Sequence, residues 1–398
     1  MRILTILMLM TGIQIYLTAQ QNQVFNVCHG DTLHIEVRAR GEVRWEKSFD
    51  RETWKEIMQE NGSLLAVIAS ESAYYRAKVS ESNCDSIYSD TTRVRVMPVN
   101  GIPVSIGIQR WDAWAPDENP ESPYNQALEC MKPEKWNELG YWPWWATVDE
   151  PGNLLALDGN RLEVAEQENR YAYESQVDYW AFYRYVGDSN PMNQLFHRYL
   201  ESSTKSLMEF CFIATPQLYR GGSDNSEIIS MISYMNDPQY FKVVDGRPLI
   251  YFYLAHMTLG EVRDYFSRVR QEAARANIAD PYIVLYNNSW EWSYEDVQDL
   301  GQDAFSDIPK PGRTEEGSPY QKMIEELPPL WESWAGANEN IVPCLSQQWD
   351  PRPYYETPPK WWPNPDNRWF YPPTKDEFRQ NVQNALDFVK EHLSLIHI

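Results

Sequence analysis

The chain has 398 residues, with 57 acidic side chains against 35 basic ones and a formal net charge of −22 at pH 7. That balance argues against nucleic acid or an anionic membrane surface as a partner, because both need a positive face. The length accommodates one large domain plus a small module.

Met1 to Ala19 carries one early basic residue, Arg2, then an apolar run from Ile3 to Leu17, and a small residue at Ala19 before Gln20. The run is short and interrupted by Thr11, Gly12 and Gln14. It therefore reads as a secretory signal peptide rather than a membrane span, with an ordinary first helix as the alternative. No Cys follows the expected cleavage point, so no lipid anchor is expected there. The mature chain is expected to be exported, to the periplasm or the extracellular surface, with no membrane span after cleavage.

Residues 20–100 read as a separate module. Leu33–Val37, Glu42–Trp45, Leu64–Ile68, Tyr74–Val79 and Thr92–Val96 alternate apolar and polar residues between turn-like segments. That spacing predicts a small antiparallel sandwich. The module resembles the immunoglobulin-like domains of secreted bacterial proteins. Trp45 stands where they bury a Trp, and Ala73-Tyr-Tyr-Arg-Ala77 resembles their tyrosine-corner strand. It departs from them at Ala77, which occupies the position of the second Cys in antibody-type domains. Cys28 and Cys84 bracket the module instead. In an exported chain they form a plausible disulfide, worth about 4 kcal/mol in the chain-entropy model, and two separate buried thiols are the alternative. The remaining cysteines show no metal spacing and the histidines are scattered, so neither a metal nor another cofactor is expected.

From residue 101 the pattern changes. Pro103–Trp111, Val177–Tyr185, Leu207–Ala214, Pro248–Leu254, Tyr282–Asn287, Ala304–Ile308 and Ile341–Trp349 are short runs rich in β-branched and aromatic residues. Helical patterns or long aromatic loops separate most of them. Alternating strands and helices mean βα units on a parallel sheet, and about seven of them predict a (β/α)₈ TIM-type barrel over residues 101–392.

Reactive groups of such barrels lie at the C-terminal ends of the strands. Those positions give Gln109, Arg110, Trp111, Asp112 and Trp114, then Tyr183, Arg184 and Tyr185, then Tyr251, Tyr253 and His256. Asn287, Asn288, Trp290 and Glu291 come next, then Asp307, and finally Gln348, Trp349, Asp350 and Arg352. The substrate-binding set drawn from them is Gln109, Trp111, Asp112, Tyr183, Tyr185, Tyr253, Asn287, Trp290, Glu291, Asp350 and Arg352. Carboxylates and amides hydrogen-bond paired hydroxyls, and aromatic rings stack on sugar rings, so the inventory suits a glycan. Two Pro-laced loops add Trp142, Trp144 and Trp145, and Trp361, Trp362 and Trp369. Each residue has a plainer role open to it. Asp112 and Asp307 could cap the helices or turns after their strands, and Glu291 could open a helix. His256 could be purely structural, and Asp350 and Arg352 could pair with each other across Pro351.

Three stretches carry a family resemblance: Val177-Asp-Tyr-Trp-Ala-Phe-Tyr-Arg-Tyr185, Asp237-Pro-Gln-Tyr-Phe-Lys-Val-Val-Asp-Gly-Arg-Pro-Leu249, and Gln348-Trp-Asp-Pro-Arg-Pro353 followed by Pro373-Thr-Lys-Asp-Glu-Phe378. Ile102 to His392 thereby resembles the secreted bacterial barrels related to glycoside hydrolase family 99 and the WbsX-like proteins. The resemblance implies a (β/α)₈ fold and endo-α-mannosidase-like action on a polysaccharide or glycan. It also implies a last strand, after the helix at Lys375–His392, that bears two catalytic glutamates. The chain stops at Leu393-Ser-Leu-Ile-His-Ile398 instead. Residues 393–398 read as a non-native tail on an interrupted gene, with the catalytic residues expected after His392. The alternative function is a non-catalytic carbohydrate-binding or adhesion protein. Glycosyl transfer ranks last, since an exported chain has no supply of nucleotide sugar and no phosphate-cradling glycine loop is visible.

Overall fold

Every second residue of Ala73–Ser80 is apolar, and Ala73, Tyr75, Ala77 and Val79 are all buried on one side of that strand. The same alternation builds the rest of the N-terminal unit, one of two into which the chain divides, Met1–Val104 and Ser105–Ile398. The computed structural model describes residues 14–18, 24–28, 32–49, 51, 53–81, 85–89, 91–97, 104–131, 142–150, 154–215, 225–243, 246–254, 257–287, 295–308, 313–336 and 340–392.

The first unit contains β1 (Gln14–Thr18), β2 (Val24–Cys28), β3 (Thr32–Glu36), β4 (Glu42–Ser48), β5 (Lys55–Asn61), β6 (Leu64–Ile68), β7 (Ala73–Ser80), β8 (Ile87–Tyr88) and β9 (Thr92–Met97). Strands β1, β3 and β6 form one sheet; β2, β9, β7, β4 and β5 form the other, with β8 on the flank of β7. One core of Leu33, Ile35, Trp45, Leu65, Ala77 and Val94 joins them. Trp45 is fully buried and its indole N–H donates to the carbonyl of Gly62 at 3.0 Å, which satisfies its one polar group. Two pairings are parallel, β1 with β3 and β2 with β9. Strand β1 lies inside the stretch read as a leader. Strand β5 was not expected, because its sequence Lys-Glu-Ile-Met-Gln-Glu-Asn is almost wholly polar. The side chain of Cys28 and the whole of Cys84 lie outside the described residues.

The second unit runs β10 (Gly107–Arg110), α1 (Pro123–Cys130), a hairpin of β11 (Ala146–Val148) and β12 (Leu154–Leu157), α2 (Leu162–Glu174), β13 (Tyr179–Arg184), α3 (Gln194–Glu201), β14 (Glu209–Ala214), α4 (Ser226–Ser233), β15 (Leu249–Leu254), α5 (Leu259–Arg275), β16 (Tyr282–Asn287), β17 (Ala304–Asp307), α6 (Tyr320–Ala335), α7 (Arg352–Glu356) and α8 (Lys375–Glu391). Strands β10, β13, β14, β15, β16 and β17 are hydrogen-bonded in that order, all in parallel. This is the TIM-type α/β arrangement that the strand–helix alternation predicts.

Six of the seven expected strands are present, within a few residues of their expected bounds. The seventh, Ile341–Trp349, is corrected to a single parallel bridge between Phe305 and Ile341, flanked by Phe305 N–H to Asn340 O at 2.8 Å and Val342 N–H to Phe305 O at 2.9 Å. The next residue is Pro343, which has no N–H to donate, and the ladder ends there.

The two faces of the sheet are sorted by alternation. Outward residues meet helices: Phe182 packs on Phe196 of α3, Phe252 on Tyr265 and Phe266 of α5, and Phe305 on Trp334 of α6. Tyrosines recur among the inward residues, and Tyr179 and Tyr251 share a buried hydrogen bond at 2.8 Å. Helices α5 and α8 each open with a complete capping box, Thr258 with Glu261 and Thr374 with Glu377. Among the described residues β10 pairs only with β13, and Ile106 and Ile108 beside that free edge are exposed.

Candidate functional site

At the C-terminal end of the sheet, the inward side chains converge. The Tyr286 hydroxyl donates to Gln109 Oε1 at 2.9 Å, and Gln109 Nε2 lies 3.6 Å from Cys344 Sγ. Tyr183 packs edge-on against Tyr253 at 5.6 Å between centroids, and Tyr253 lies 6.2 Å from Tyr286. Burial pushes the hydroxyls of Tyr183 and Tyr286 well above the usual phenol range, and burial lifts the Cys344 thiol to about 12. All three stay protonated at neutral pH and act as hydrogen-bonding groups rather than charges.

A wall of indoles stands beside this cluster. Trp111 donates its N–H to the Tyr185 hydroxyl at 2.9 Å, which fixes both rings. Rings then succeed one another: Trp145 to Trp114 at 6.3 Å, Trp114 to Trp111 at 6.1 Å, Trp111 to Trp361 at 5.4 Å, Trp361 to Trp362 at 6.3 Å and Trp362 to Trp349 at 6.5 Å. The two Trp-rich loops divide between surface and core. Trp144 and Trp361 are exposed, whereas Trp145 belongs to a small core with Tyr124, Leu154, Leu157 and Val164.

Four of the predicted charged residues, Arg110, Asp112, Asp350 and Arg352, are held in ion pairs. Arg110 Nη2 reaches Asp112 Oδ1 at 3.1 Å and Glu168 Oε2 at 2.7 Å, while Glu168 Oε1 accepts the Trp145 N–H at 3.1 Å. Burial raises the Asp112 carboxyl pKa and Arg110 works against that rise. Burial opposes the Arg110 charge, and the two carboxylates more than offset it. Asp350 grips Arg352 with both oxygens, at 2.8 and 2.6 Å, and the guanidinium lies 3.5 Å over the Trp369 ring. The plainer reading of that pair, a fixed loop, is what the geometry gives.

Of the predicted binding set, Gln109, Trp111, Tyr183, Tyr185 and Tyr253 come together in this cluster. Asp112 sits beside it, turned to Arg110, and Asn287 ends β16 in register with Asp307. Trp290 and Glu291 lie outside the described residues, as do Asn288 and His256. Arg184 does not join the cluster. It shares the outward side with Phe182, is almost fully buried, and contacts Asp188 and Ser230. Glu168 was missed because it lies inside a helix. A signal was present, since it shares the helix face of the buried Val164, Ala165, Asn169 and Ala172, where a carboxylate needs a partner. Among the described residues no group of His, Cys, Asp and Glu could hold a metal ion, and no described helix is long and apolar enough to cross a membrane.

Residues 193–353 match the family model described as glycosyltransferase WbsX, and residues 17–98 match a domain of unknown function. The resemblance to the WbsX-like family is thereby borne out over that central stretch. Among solved structures, the chain is similar to the GH99 endo-α-mannosidase of Bacteroides thetaiotaomicron, with a TM-score of 0.40 and 16% identity over 60% of this chain and 71% of that one. It is also similar to a β-D-glucuronidase of Dictyoglomus thermophilum, with a TM-score of 0.34 and 9% identity over 90% of this chain and 57% of that one. No curated protein sequence matches.

Proposed function

We propose that this WbsX-like chain is a secreted protein acting on a polysaccharide or glycan, with its sugar site at the C-terminal end of the parallel sheet. The observation that carries the reading is the unbroken run of rings from Trp114 through Trp111, Trp361 and Trp362 to Trp349, beside the hydroxyls of Tyr183, Tyr185 and Tyr253. Flat apolar rings next to neutral donors and acceptors suit the two faces of a sugar. The family matched over 193–353 is named for glycosyl transfer. Endo-α-mannosidase-like hydrolysis is preferred here, as the family resemblance implies and because an exported chain meets no nucleotide sugar.

A second reading, binding without catalysis, is favoured by one observation: Asp112 and Asp350 are each committed to an arginine. Glycoside hydrolysis needs one carboxyl to give a proton and another to act as base or nucleophile. Neither aspartate is assigned such a role.

The test is incubation of the purified protein with a panel of α-mannan, β-glucan, xylan, chitin and pectin, following both binding and new reducing ends. New reducing ends support the hydrolase. Retention on one polysaccharide without cleavage, lost in Trp361→Ala, supports the binding protein. Retention on none of them removes the glycan reading. Export is tested by N-terminal sequencing of protein recovered outside the cytoplasm, which should begin at Gln20.

A further inference from the structure

The ladder of β13 stops one residue short of the aromatic cluster. Strand β13 pairs with β10 as far as Phe182 and with β14 as far as Arg184. Tyr185, whose hydroxyl accepts the Trp111 N–H, lies past the last paired position. Its backbone is held by one side chain, Asn193. Oδ1 of Asn193 accepts the Tyr185 N–H at 3.0 Å, and Nδ2 donates to the Tyr185 carbonyl at 2.9 Å. We propose that Asn193 is a positioning residue for the glycan site: it extends β13 by one residue and so fixes the Tyr185 ring against Trp111. The inference rests on the glycan reading above and adds to it the group that aims one of the sugar contacts.

Three observations point there. A carboxamide carries an acceptor and a donor as a peptide group does, and Asn193 gives both to the two backbone groups of a single residue, as a neighbouring strand would. The same Nδ2 donates to the Gly187 carbonyl at 2.9 Å, which the positive φ of Gly187, +80°, turns back toward it. Second, Asn193 stands at the start of α3 yet makes no capping bond there, although capping is what an asparagine in that place ordinarily does. The cap has passed to Asn190, which accepts from the Met192 N–H at 3.0 Å and opens the 3₁₀ turn Pro191–Asn193 that leads into the helix. Third, Asn193 is 1% exposed, so the groups it serves would have no ready substitute for it. The remainder of the loop has its own ties. The Gly187 N–H donates to Glu227 at 3.1 Å, and Asp188 pairs with Arg184. Asn193 therefore acts on Tyr185 more than on the loop as a whole.

The experiment follows stability and affinity side by side, the affinity being for the polysaccharide of the panel that the wild-type protein retains. Asn193→Asp keeps the size and the acceptor for the Tyr185 N–H but turns the donor end into a second acceptor facing two carbonyls. Asn193→Ser withdraws the carboxamide. Both should bind on the order of tenfold more weakly at a temperature where they are fully folded. In a Tyr185→Ala background no ring is left to aim. There the same substitutions should change affinity by less than about twofold, while still lowering the urea midpoint. Wild-type affinity in the single variants, with only stability lost, makes Asn193 purely structural and overturns the proposal while the glycan reading stands. An equal loss of affinity with and without the Tyr185 ring overturns it as well. Should neither variant fold, hydrogen exchange of the wild type decides: the Tyr185 amide should exchange as slowly as those of β13, and exchange at the rate of an exposed loop overturns the proposal. A wild-type protein that retains no member of the panel fails both readings together.

Discussion

Gln109 on the first strand of the parallel sheet and Tyr286 on the fifth are joined by a hydrogen bond of 2.9 Å. Five strands laid flat would place the first and fifth about 19 Å apart, at about 4.8 Å per step. The bond therefore requires the sheet to curl until strands distant in order face each other, as strands of a barrel do. Both groups have a partner only because of that curl. Tyr286→Phe removes the buried donor of a hydrogen bond whose Gln109 end is exposed and open to water, and should cost about 0.5–1.5 kcal/mol of stability in urea unfolding with little change in slope. A loss below a few tenths would mean that the contact does not hold the curl.

Cys344 closes the same cluster. With its thiol raised to about 12 by burial, the reactive thiolate at pH 8 is on the order of one part in ten thousand. Iodoacetamide at pH 8 should leave Cys344 unlabelled in the folded protein and label it fully in urea, as read by peptide mass spectrometry. Rapid labelling of the native protein would contradict the raised thiol pKa at this half-buried position.

Gly107 is set by a neighbour on the next strand. A Cβ there would lie 2.2 Å from the Tyr179 ring, which is buried and hydrogen-bonded to Tyr251 and so has nowhere to move. Gly107→Ala should destabilise by about 1–3 kcal/mol through overpacking. Pairing it with Tyr179→Phe should rescue little, since the ring rather than the hydroxyl fills most of the space. A neutral Gly107→Ala would place Tyr179 elsewhere.

The start of α8 gives a pH signature. Thr374 accepts from the Glu377 backbone N–H at 3.2 Å, and Glu377 accepts from the Thr374 N–H at 2.8 Å. These hydrogen bonds lower the Glu377 pKa, the backbone one most. A lowered carboxyl pKa contributes stability above the unfolded value, near 4.3, that disappears as pH falls through the folded value. Thr374→Ala should therefore cost about 1 kcal/mol at pH 7 and less at pH 3, measured against the wild type at each pH. An equal cost at both pH values would show that Glu377 takes no part.

Much of this was legible in the residues. The strand runs, the helix caps and the switch from period two to strand–helix alternation near residue 101 depend on local chemistry, and local chemistry is written in order along the chain. Val177–Tyr185 reads as a buried strand because six of its nine positions are aromatic or β-branched. Gln109, Trp111, Tyr183, Tyr185 and Tyr253 come from one further rule, that such strands expose function at their C-terminal ends.

What the sequence by itself determined is thus the kind of fold and the kind of side chain at its working face. Tertiary structure decided which side chains meet. Arg110 takes Glu168 from a helix 58 positions away, and Gln109 takes Tyr286 from 177 positions away. Trp145 became core while Trp361 stayed at the surface, although both sit in similar Trp-rich runs. Arg184 faces the helices rather than the cluster, because alternation along β13 puts it on the side of Phe182. Contacts of that kind depend on curl, register and helix placement, which are properties of the packed whole and have no local signature.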